Sequence, residues 1–209
     1  MPPRSVKFCV GEYYHIYNRG HNRDRIFFER DNYLFFLKKA REFLLRQVEA
    51  ESNEAKKTVR AANLEVSSCQ IIAYCLMPNH YHFLVQIQAE GFSAAMQSFG
   101  QAYTNSINRK RDLVGPLFQS RFQAIHVDHE DYLLQLTRYI HLNPVVASIV
   151  AKPEDWEFSS YVDYLGLRSG SLPKPQMILR PFGSPERYRG FVEAGMHKPE
   201  RAITHLMLD

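Results

Sequence analysis

Residues 68–87, SCQIIAYCLMPNHYHFLVQI, contain two β-prone runs with a turn signal between them. The first run is apolar and fits a strand over 68–76, and Met-Pro-Asn at 77–79 supplies the turn. On the returning strand, 80–87, side chains alternate between two faces. One face is apolar and the other carries two histidines: Tyr81, Phe83, Val85 and Ile87 on the first, and His80, His82, Leu84 and Gln86 on the second. We expect helices to cover the apolar face and the imidazoles to point to the opposite side.

The segments around this hairpin extend the alternation of strands and helices. Strands fit 13–17 and 120–127, and helices fit about 31–44, with Asp31 capping the first turn, 92–109, and about 131–142. The last helix should stop near Pro144, because the residue before a proline is pushed out of helical geometry. The order β, α, β-hairpin, α, β, α predicts an α+β fold of ferredoxin or RRM type. Its antiparallel sheet would carry helices on one face and a further helix across the other.

The chain divides into a core over 1–150 and a C-terminal extension over 151–209 that docks on it. Trp156–Tyr161 resembles an aromatic anchor for this extension. A short helix is expected to begin at Ser184-Pro185, with serine as the cap and proline in the first position, and to end near Gly195. The charged, alanine-rich stretch 49–63 predicts a helical extension or an insertion within the core, and its sequence indicates no function.

Composition limits the class of protein. The 209 residues are 45% hydrophobic and 23% charged, which is typical of a globular chain and not of a disordered one. No apolar run approaches the roughly 20 residues that span a bilayer, and the first residues lack the apolar centre of a signal peptide. We therefore expect a cytoplasmic protein without a membrane partner. Three cysteines cannot form a disulfide framework, and a net charge of +4 permits nucleic-acid binding without demonstrating it.

A polar stripe on the predicted third helix strengthens the functional interpretation of the histidine pair. Two histidines one residue apart on a strand lie about 7 Å apart on one face and can converge on a small ion. Taken alone, this pattern is more typical of two hydrogen-bonded histidines in a half-buried sheet than of a metal site. The helix adds a polar stripe, Gln135, Tyr139 and Asn143, at i, i+4 and i+8. The Tyr139 phenol can attack phosphorus and stay covalently attached, and the Asn143 amide oxygen suits a hard divalent cation.

A cation held by these groups would suit phosphoryl chemistry. Two imidazoles and one amide oxygen leave coordination positions for water and a phosphate oxygen. The cation would withdraw charge from a phosphodiester, stabilise its transition state and favour the phenoxide of Tyr139. The chain has 12 tyrosines, and a tyrosine on a helix usually serves packing. The residues alone therefore leave the role of Tyr139 open.

Four separate motifs together resemble the HUH single-tyrosine transposases, and among them most closely the REP-associated tyrosine transposases, relatives of bacterial insertion-sequence enzymes. They are YHIYNRG at 14–20, MPNHYHFL at 77–84, YIHLNPV at 139–145 and WEFSSY at 156–161, in the family's order over about 11–166. The resemblance implies that His80 and His82 are the metal-binding HUH pair and that Asn143 is the third ligand, on the helix. It also implies an RRM-like core, Mg²⁺ or Mn²⁺ as the metal, and Tyr139 as a nucleophile that forms a 5′-phosphotyrosine bond and releases a 3′-hydroxyl.

The implied partner is single-stranded DNA with hairpins, from repetitive extragenic palindromes, which the enzyme would cleave and rejoin. The resemblance also admits a homodimer, since relatives include both dimers and monomers. Single strands are bound by phosphate neutralisation and by stacking on aromatic rings. Five arginines are candidates for DNA contacts: Arg19, Arg23, Arg25, Arg121 and Arg138. His15 and His126 are further candidates for the site, although core or surface positions explain them more simply, and we expect His141 outside the metal shell because it lies on another helix face.

Other interpretations stay open at this point. A non-catalytic RRM-like nucleic-acid-binding protein would keep the fold without the reaction. A rolling-circle initiator or relaxase would use the same chemistry, but the Met-Pro-Asn and Asn-Pro contexts are more typical of the transposases. A structural zinc site would need a fourth strong ligand, and no cysteine stands at zinc-finger spacing.

Overall fold

The strands build one main sheet and one small one. In a computed structural model of the protein, the structure describes residues 6–45, 47–48 and 66–196. Across these residues the strands are β1 (Tyr13–Arg19), β2 (Gln47–Val48), β3 (Val66–Ser67), β4 (Cys69–Met77), β5 (His80–Ile87) and β6 (Gln123–Val127). The main sheet is antiparallel in the order β4-β5-β1-β6, and β2 pairs with β3 apart from it. The predicted insertion at 49–63 lies outside the described residues.

Helices cover both faces of the main sheet. The described helices are α1 (Arg30–Leu44), α2 (Phe92–Arg111), α3 (Glu130–Val146), α4 (Tyr161–Tyr164), α5 (Gln176–Leu179) and α6 (Pro185–Ala194). The helices α1 and α2 pack on one face, and α3 crosses the other. The predicted α+β architecture of ferredoxin or RRM type is confirmed. Among the helices in the described part of the chain, none is both long and apolar enough to cross a membrane.

The alternation along β5 separates two buried clusters. Phe83 packs with Phe36 of α1 and Phe99 of α2 in the larger cluster. Leu84, the next residue, packs with Ile140 of α3 in the second cluster. The predicted division of faces is confirmed. Because α3 covers the second face, the histidine side of β5 lies inside the protein.

The start of α1 differs from the sequence prediction. Asp31 lies within the first turn, and Glu29 and Asn32 form the cap instead. The Asn32 Oδ1 accepts the backbone N–H of Phe28 at 3.0 Å and that of Glu29 at 3.3 Å, while its Nδ2 donates to Glu29 Oε1 at 3.3 Å. The prediction that Asp31 caps the helix was wrong, because a capping side chain precedes the first helical residue.

The end of α3 also differs, since the helix runs past Pro144 to Val146. A proline in the last turn forgoes only one backbone hydrogen bond, and burial of Pro144 in the fold offsets this loss. The helix closes beyond it, where the Ala147 N–H donates to the Asn143 carbonyl at 3.0 Å. The prediction of an earlier stop was wrong. As a result, Asn143 stays helical, one turn after Tyr139 and on the same face.

The C-terminal segment lies against this core at the predicted positions. The Trp156 Nε1–H donates to the Leu76 carbonyl at 3.0 Å, and the Phe158 ring stacks on Tyr33 with centroids 4.0 Å apart. The helix α6 begins after Ser184, which is its cap. The aromatic anchor and the short helix are therefore both present, and they hold the segment next to β4 and α3.

Candidate active site

The two histidines of β5 converge at the start of that strand. His80 directly follows the turn and is half-buried, whereas His82 is fully buried. Their ring centroids lie 5.0 Å apart in an edge-to-face arrangement. This spacing is shorter than the rise of two strand residues, about 7 Å, because the side chains lean toward each other.

The helix α3 brings Tyr139 and Asn143 to these imidazoles. The Asn143 carboxamide lies between the rings, with Oδ1 3.2 Å from His80 Nε2 and Nδ2 3.3 Å from His82 Nε2. The Tyr139 ring packs edge-on against His82, with centroids 5.5 Å apart. Four candidate residues from two distant segments therefore meet within one chain. Gln135, the first residue of the stripe, has a buried Oε1 without a hydrogen-bond partner among the described residues.

Asn79, in the turn before β5, orients His80. The Asn79 Nδ2 donates to the Arg23 carbonyl at 3.0 Å, which leaves its Oδ1 facing His80 Nδ1 at 2.7 Å. An amide oxygen only accepts, so this contact is satisfied by the neutral tautomer of His80 that carries its proton on Nδ1 and keeps a lone pair on Nε2. An imidazole binds a metal through such a lone pair.

This arrangement fits a divalent cation. The lone pair of His80 Nε2 faces a second acceptor, Asn143 Oδ1, at 3.2 Å, and a cation between them would satisfy both. With His82 Nε2, the donor set is two imidazole nitrogens and one amide oxygen, which leaves coordination positions open on a divalent cation. In the described parts of the chain, no cluster of three or more His, Cys, Asp or Glu could hold a metal. The four-ligand set of a structural zinc site is therefore not found there.

Burial keeps the inner histidines neutral. It lowers the pKa of His82 well below the usual value, and the neighbouring His80 and His15 lower it further. Burial also lowers the pKa of His15 to about 3. A neutral imidazole keeps the lone pair that a metal requires, so His82 stays available as a ligand at neutral and mildly acidic pH.

His15, for which the sequence favoured a core position, lies against the site. It is fully buried, and its Nε2 lies 2.9 Å from His82 Nδ1. Alternation on β1 puts His15 and Tyr17 on one face, and the antiparallel pairing with β5 places Tyr17 opposite His82. The sequence does not show which residues of β1 and β5 pair, so it could not predict the contact between His15 and His82. The other extra candidate, His126, lies elsewhere, with its exposed Nε2 2.9 Å from Glu12 Oε2.

His141 lies on a different side of α3, away from the histidine pair. Its Nδ1 is 2.7 Å from the Tyr188 hydroxyl, and its Nε2 is 2.8 Å from Ser160 Oγ. Burial lowers the pKa of His141 to about 3. This neutral histidine therefore belongs to the contact between α3 and the C-terminal segment, outside the candidate metal shell as expected.

Three of the five candidate arginines belong to the end of β1 and the loop after it. Arg23 and Arg25 are exposed, and Arg19 ends the strand with its Nε–H donating to Gln119 at 3.1 Å. The bond from Asn79 to the Arg23 carbonyl holds this loop beside the turn that carries His80. The loop therefore presents positive charge next to the candidate site.

The other two arginines lie apart from that loop. Arg121 is exposed just before β6. The Arg138 guanidinium lies over the Phe191 ring, 4.5 Å from its centroid, and donates to the Phe191 carbonyl at 3.3 Å. Arg138 is thus engaged with α6, and Gly195 leaves room for it, because a Cβ at that position would come within 2.8 Å of Arg138 Cδ. The DNA contacts of all five arginines stay predictions.

The sheet and the site define the class: an α+β protein in which a strand-borne histidine pair faces a tyrosine and an amide on one helix. The family model described as "Transposase IS200 like" matches residues 12–143. The chain therefore belongs to the IS200-like transposase family. The matched range contains the histidine pair, Tyr139 and Asn143.

One solved structure has the same fold at low identity. The chain is similar to a REP-associated tyrosine transposase bound to a REP hairpin, with 15% identity, a TM-score of 0.58, and coverage of 83% of this chain and 98% of that one. It is also matched to a candidate transposase from Deinococcus radiodurans R1, with 12% identity, a TM-score of 0.35, and coverage of 67% and 95%. A search of curated proteins finds no significant match.

Proposed function

We propose that the protein is a metal-dependent strand transferase that cleaves and rejoins single-stranded DNA beside hairpins. The observation that carries this proposal is the meeting of His80, His82, Asn143 and Tyr139 around one point of the fold. The transposase family supplies DNA as the substrate class. A related transposase bound to a REP hairpin supports hairpin-bearing strands from repetitive extragenic palindromes as the partner.

Each residue has a distinct role in the proposed reaction. His80 Nε2, His82 Nε2 and Asn143 Oδ1 would hold Mg²⁺ or Mn²⁺, which supplies charge withdrawal from the scissile phosphate and stabilises its transition state. The Tyr139 hydroxyl oxygen attacks phosphorus, and the bond from phosphorus to the 3′-oxygen breaks. The phenol proton passes to solvent, and the released oxygen takes up a proton as a 3′-hydroxyl. The product is a 5′-phosphotyrosine on the chain.

Rejoining reverses these steps. A 3′-hydroxyl attacks the phosphotyrosine, the bond from phosphorus to Tyr139 breaks, and the phenol recovers a proton. The spacing of four residues keeps Tyr139 and Asn143 neighbours on one helix face, so the nucleophile stays beside the ligand. All of these groups come from one chain, and the proposed reaction needs no residue of a second copy. The homodimer stays a prediction.

The decisive variant is Tyr139→Phe, which removes only the nucleophilic oxygen. The probe is a pool of single-stranded oligonucleotides in which a fixed hairpin is flanked by randomised nucleotides, incubated with Mn²⁺. With wild-type protein, a 3′-labelled strand should migrate with the protein on a denaturing gel, because a 5′-phosphotyrosine retains the DNA downstream of the cut. A 5′-labelled strand should appear as a shorter free product.

The control is Tyr132→Phe, which changes another half-buried tyrosine of the same helix. We expect Tyr139→Phe to lose the adduct and keep binding, and Tyr132→Phe to keep both. An adduct that persists in Tyr139→Phe would refute the assigned nucleophile. Binding without any adduct in the wild-type protein would instead favour the non-catalytic nucleic-acid-binding protein.

A further inference from the structure

A buried histidine of β1, His15, contacts His82 at Nδ1, the ring nitrogen that is not the proposed ligand. His15 Nε2 lies 2.9 Å from His82 Nδ1, with the ring centroids 5.1 Å apart and the ring planes 20° from parallel. Both residues are fully buried, so water does not compete for this contact. Between two neutral imidazoles such a contact holds one hydrogen, carried by one of the two nitrogens.

The position of that hydrogen decides whether His82 can bind a metal. If His82 carries it on Nδ1, His15 Nε2 accepts it and His82 Nε2 keeps a lone pair. If His15 carries it, a neutral His82 has its own hydrogen on Nε2 and cannot act as a ligand there. We infer that His15 is a positioning residue: it accepts the Nδ1–H of His82 and so holds His82 Nε2 available for the cation. This inference rests on the metal site of the proposed function.

At His80 the Nδ1 nitrogen is engaged in the same way, but by a different residue. There, the Asn79 Oδ1 accepts at Nδ1 and leaves Nε2 for the metal. Each proposed imidazole ligand thus has its outer nitrogen engaged by a group of the chain, which is the usual way in which a ligating histidine is oriented.

The remaining nitrogen of His15 supports a role beyond packing. His15 Nδ1 is buried and has no hydrogen-bond partner among the described residues. A purely structural position in this core would be filled at lower cost by an apolar ring, which has no polar atom to leave unpaired. The nitrogen that does have a partner is the one that faces His82.

Metal affinity tests the inference directly. Titration of Mn²⁺, followed by electron paramagnetic resonance of the free ion, should show an affinity about 10- to 100-fold lower in His15→Phe, which is the range for losing an outer partner of a metal ligand. His15→Gln keeps an acceptor and should stay within about threefold of wild type if the acceptor is what matters. The control His126→Phe removes an exposed imidazole and should not change the affinity. Circular dichroism verifies that each variant is folded.

Nitrogen-15 NMR provides a second readout on the wild-type protein with saturating Mg²⁺. We expect His82 to carry its proton on Nδ1, in a hydrogen bond to His15, and to have no proton on Nε2. Equal Mn²⁺ affinity in wild type and His15→Phe, or a proton on His82 Nε2 with Mg²⁺ bound, would overturn the role of His15 and leave the metal site standing. A wild-type protein that binds neither ion would overturn the metal site and this inference together.

Discussion

The Asn143 side chain contacts the imidazoles of both His80 and His82. Its carboxamide lies within 3.3 Å of both proposed ligating nitrogens and has a single oxygen to offer a cation. Its relative exposure is only 8%, so water is a poor substitute for the amide. Of the proposed ligands, this amide is the one that lies on α3, the helix of the proposed nucleophile Tyr139.

Removing this amide should therefore weaken metal binding. We expect Asn143→Ala to lower Mn²⁺ affinity on the order of 100-fold, at least the loss that follows from removing an outer partner. Asn143→Asp keeps an oxygen and adds negative charge, and should bind Mn²⁺ at least as tightly as wild type. Electron paramagnetic resonance titration measures both, with Gln135→Ala as the control on the same helix face. Wild-type affinity in Asn143→Ala would show that the amide is not a ligand.

The candidate ligands could be named from the sequence, but their orientation could not. Alternation on β5 and the four-residue spacing on α3 depend only on local geometry, so they are visible in the sequence. The contact of His15 with His82 depends on how β1 pairs with β5, which only the folded sheet sets. The proton position at His80 depends on the direction of the Asn79 amide, which is fixed by a carbonyl of a different loop.

At the scale of elements, α3 is held from two sides. One side packs on β4 and β5, and the other is tied to the C-terminal segment by His141 and Arg138. The prediction that α3 stops near Pro144 was wrong, because packing around the last turn outweighs a local preference of the backbone. The C-terminal segment thus contributes to the position of the helix that carries Tyr139.

We expect the hydrogen bond between His141 and Tyr188 to be the strongest single contact between α3 and the C-terminal segment. In Tyr188→Phe the buried His141 Nδ1 loses its partner, and we expect the free energy of unfolding to fall by about 1–3 kcal/mol. In the double variant with His141→Phe both polar groups are gone, so its loss should be smaller than the sum of the two single losses, by about 0.5 kcal/mol or more. Urea unfolding of the four proteins measures this coupling. Strictly additive losses would show that the bond does not stabilise the helix.

At the scale of the whole molecule, the positions of the charged residues indicate more about DNA binding than the net charge of +4 does. At the end of α2, Lys110 pairs with Glu29, and the Arg111 guanidinium lies 4.1 Å from the centroid of the Phe28 ring. The basic run RKR at 109–111 is thus partly engaged by the fold. The loop with Arg23 and Arg25 stays exposed beside the candidate site, and only the fold reveals that difference.

Salt dependence of DNA binding separates local contacts from overall charge. The logarithm of the binding constant for single strands falls with the logarithm of salt concentration by about 0.7 for each phosphate neutralised. If Arg23 and Arg25 each contact one phosphate, the double variant to alanine should reduce that slope by about 1.4. The matched control replaces Arg180 and Arg187, two exposed arginines of the C-terminal segment, and removes the same charge from the protein. Fluorescence anisotropy with a hairpin-bearing strand measures both slopes. A control that lowers the slope as much as the loop variant would show that overall charge, and not this loop, governs the encounter with DNA.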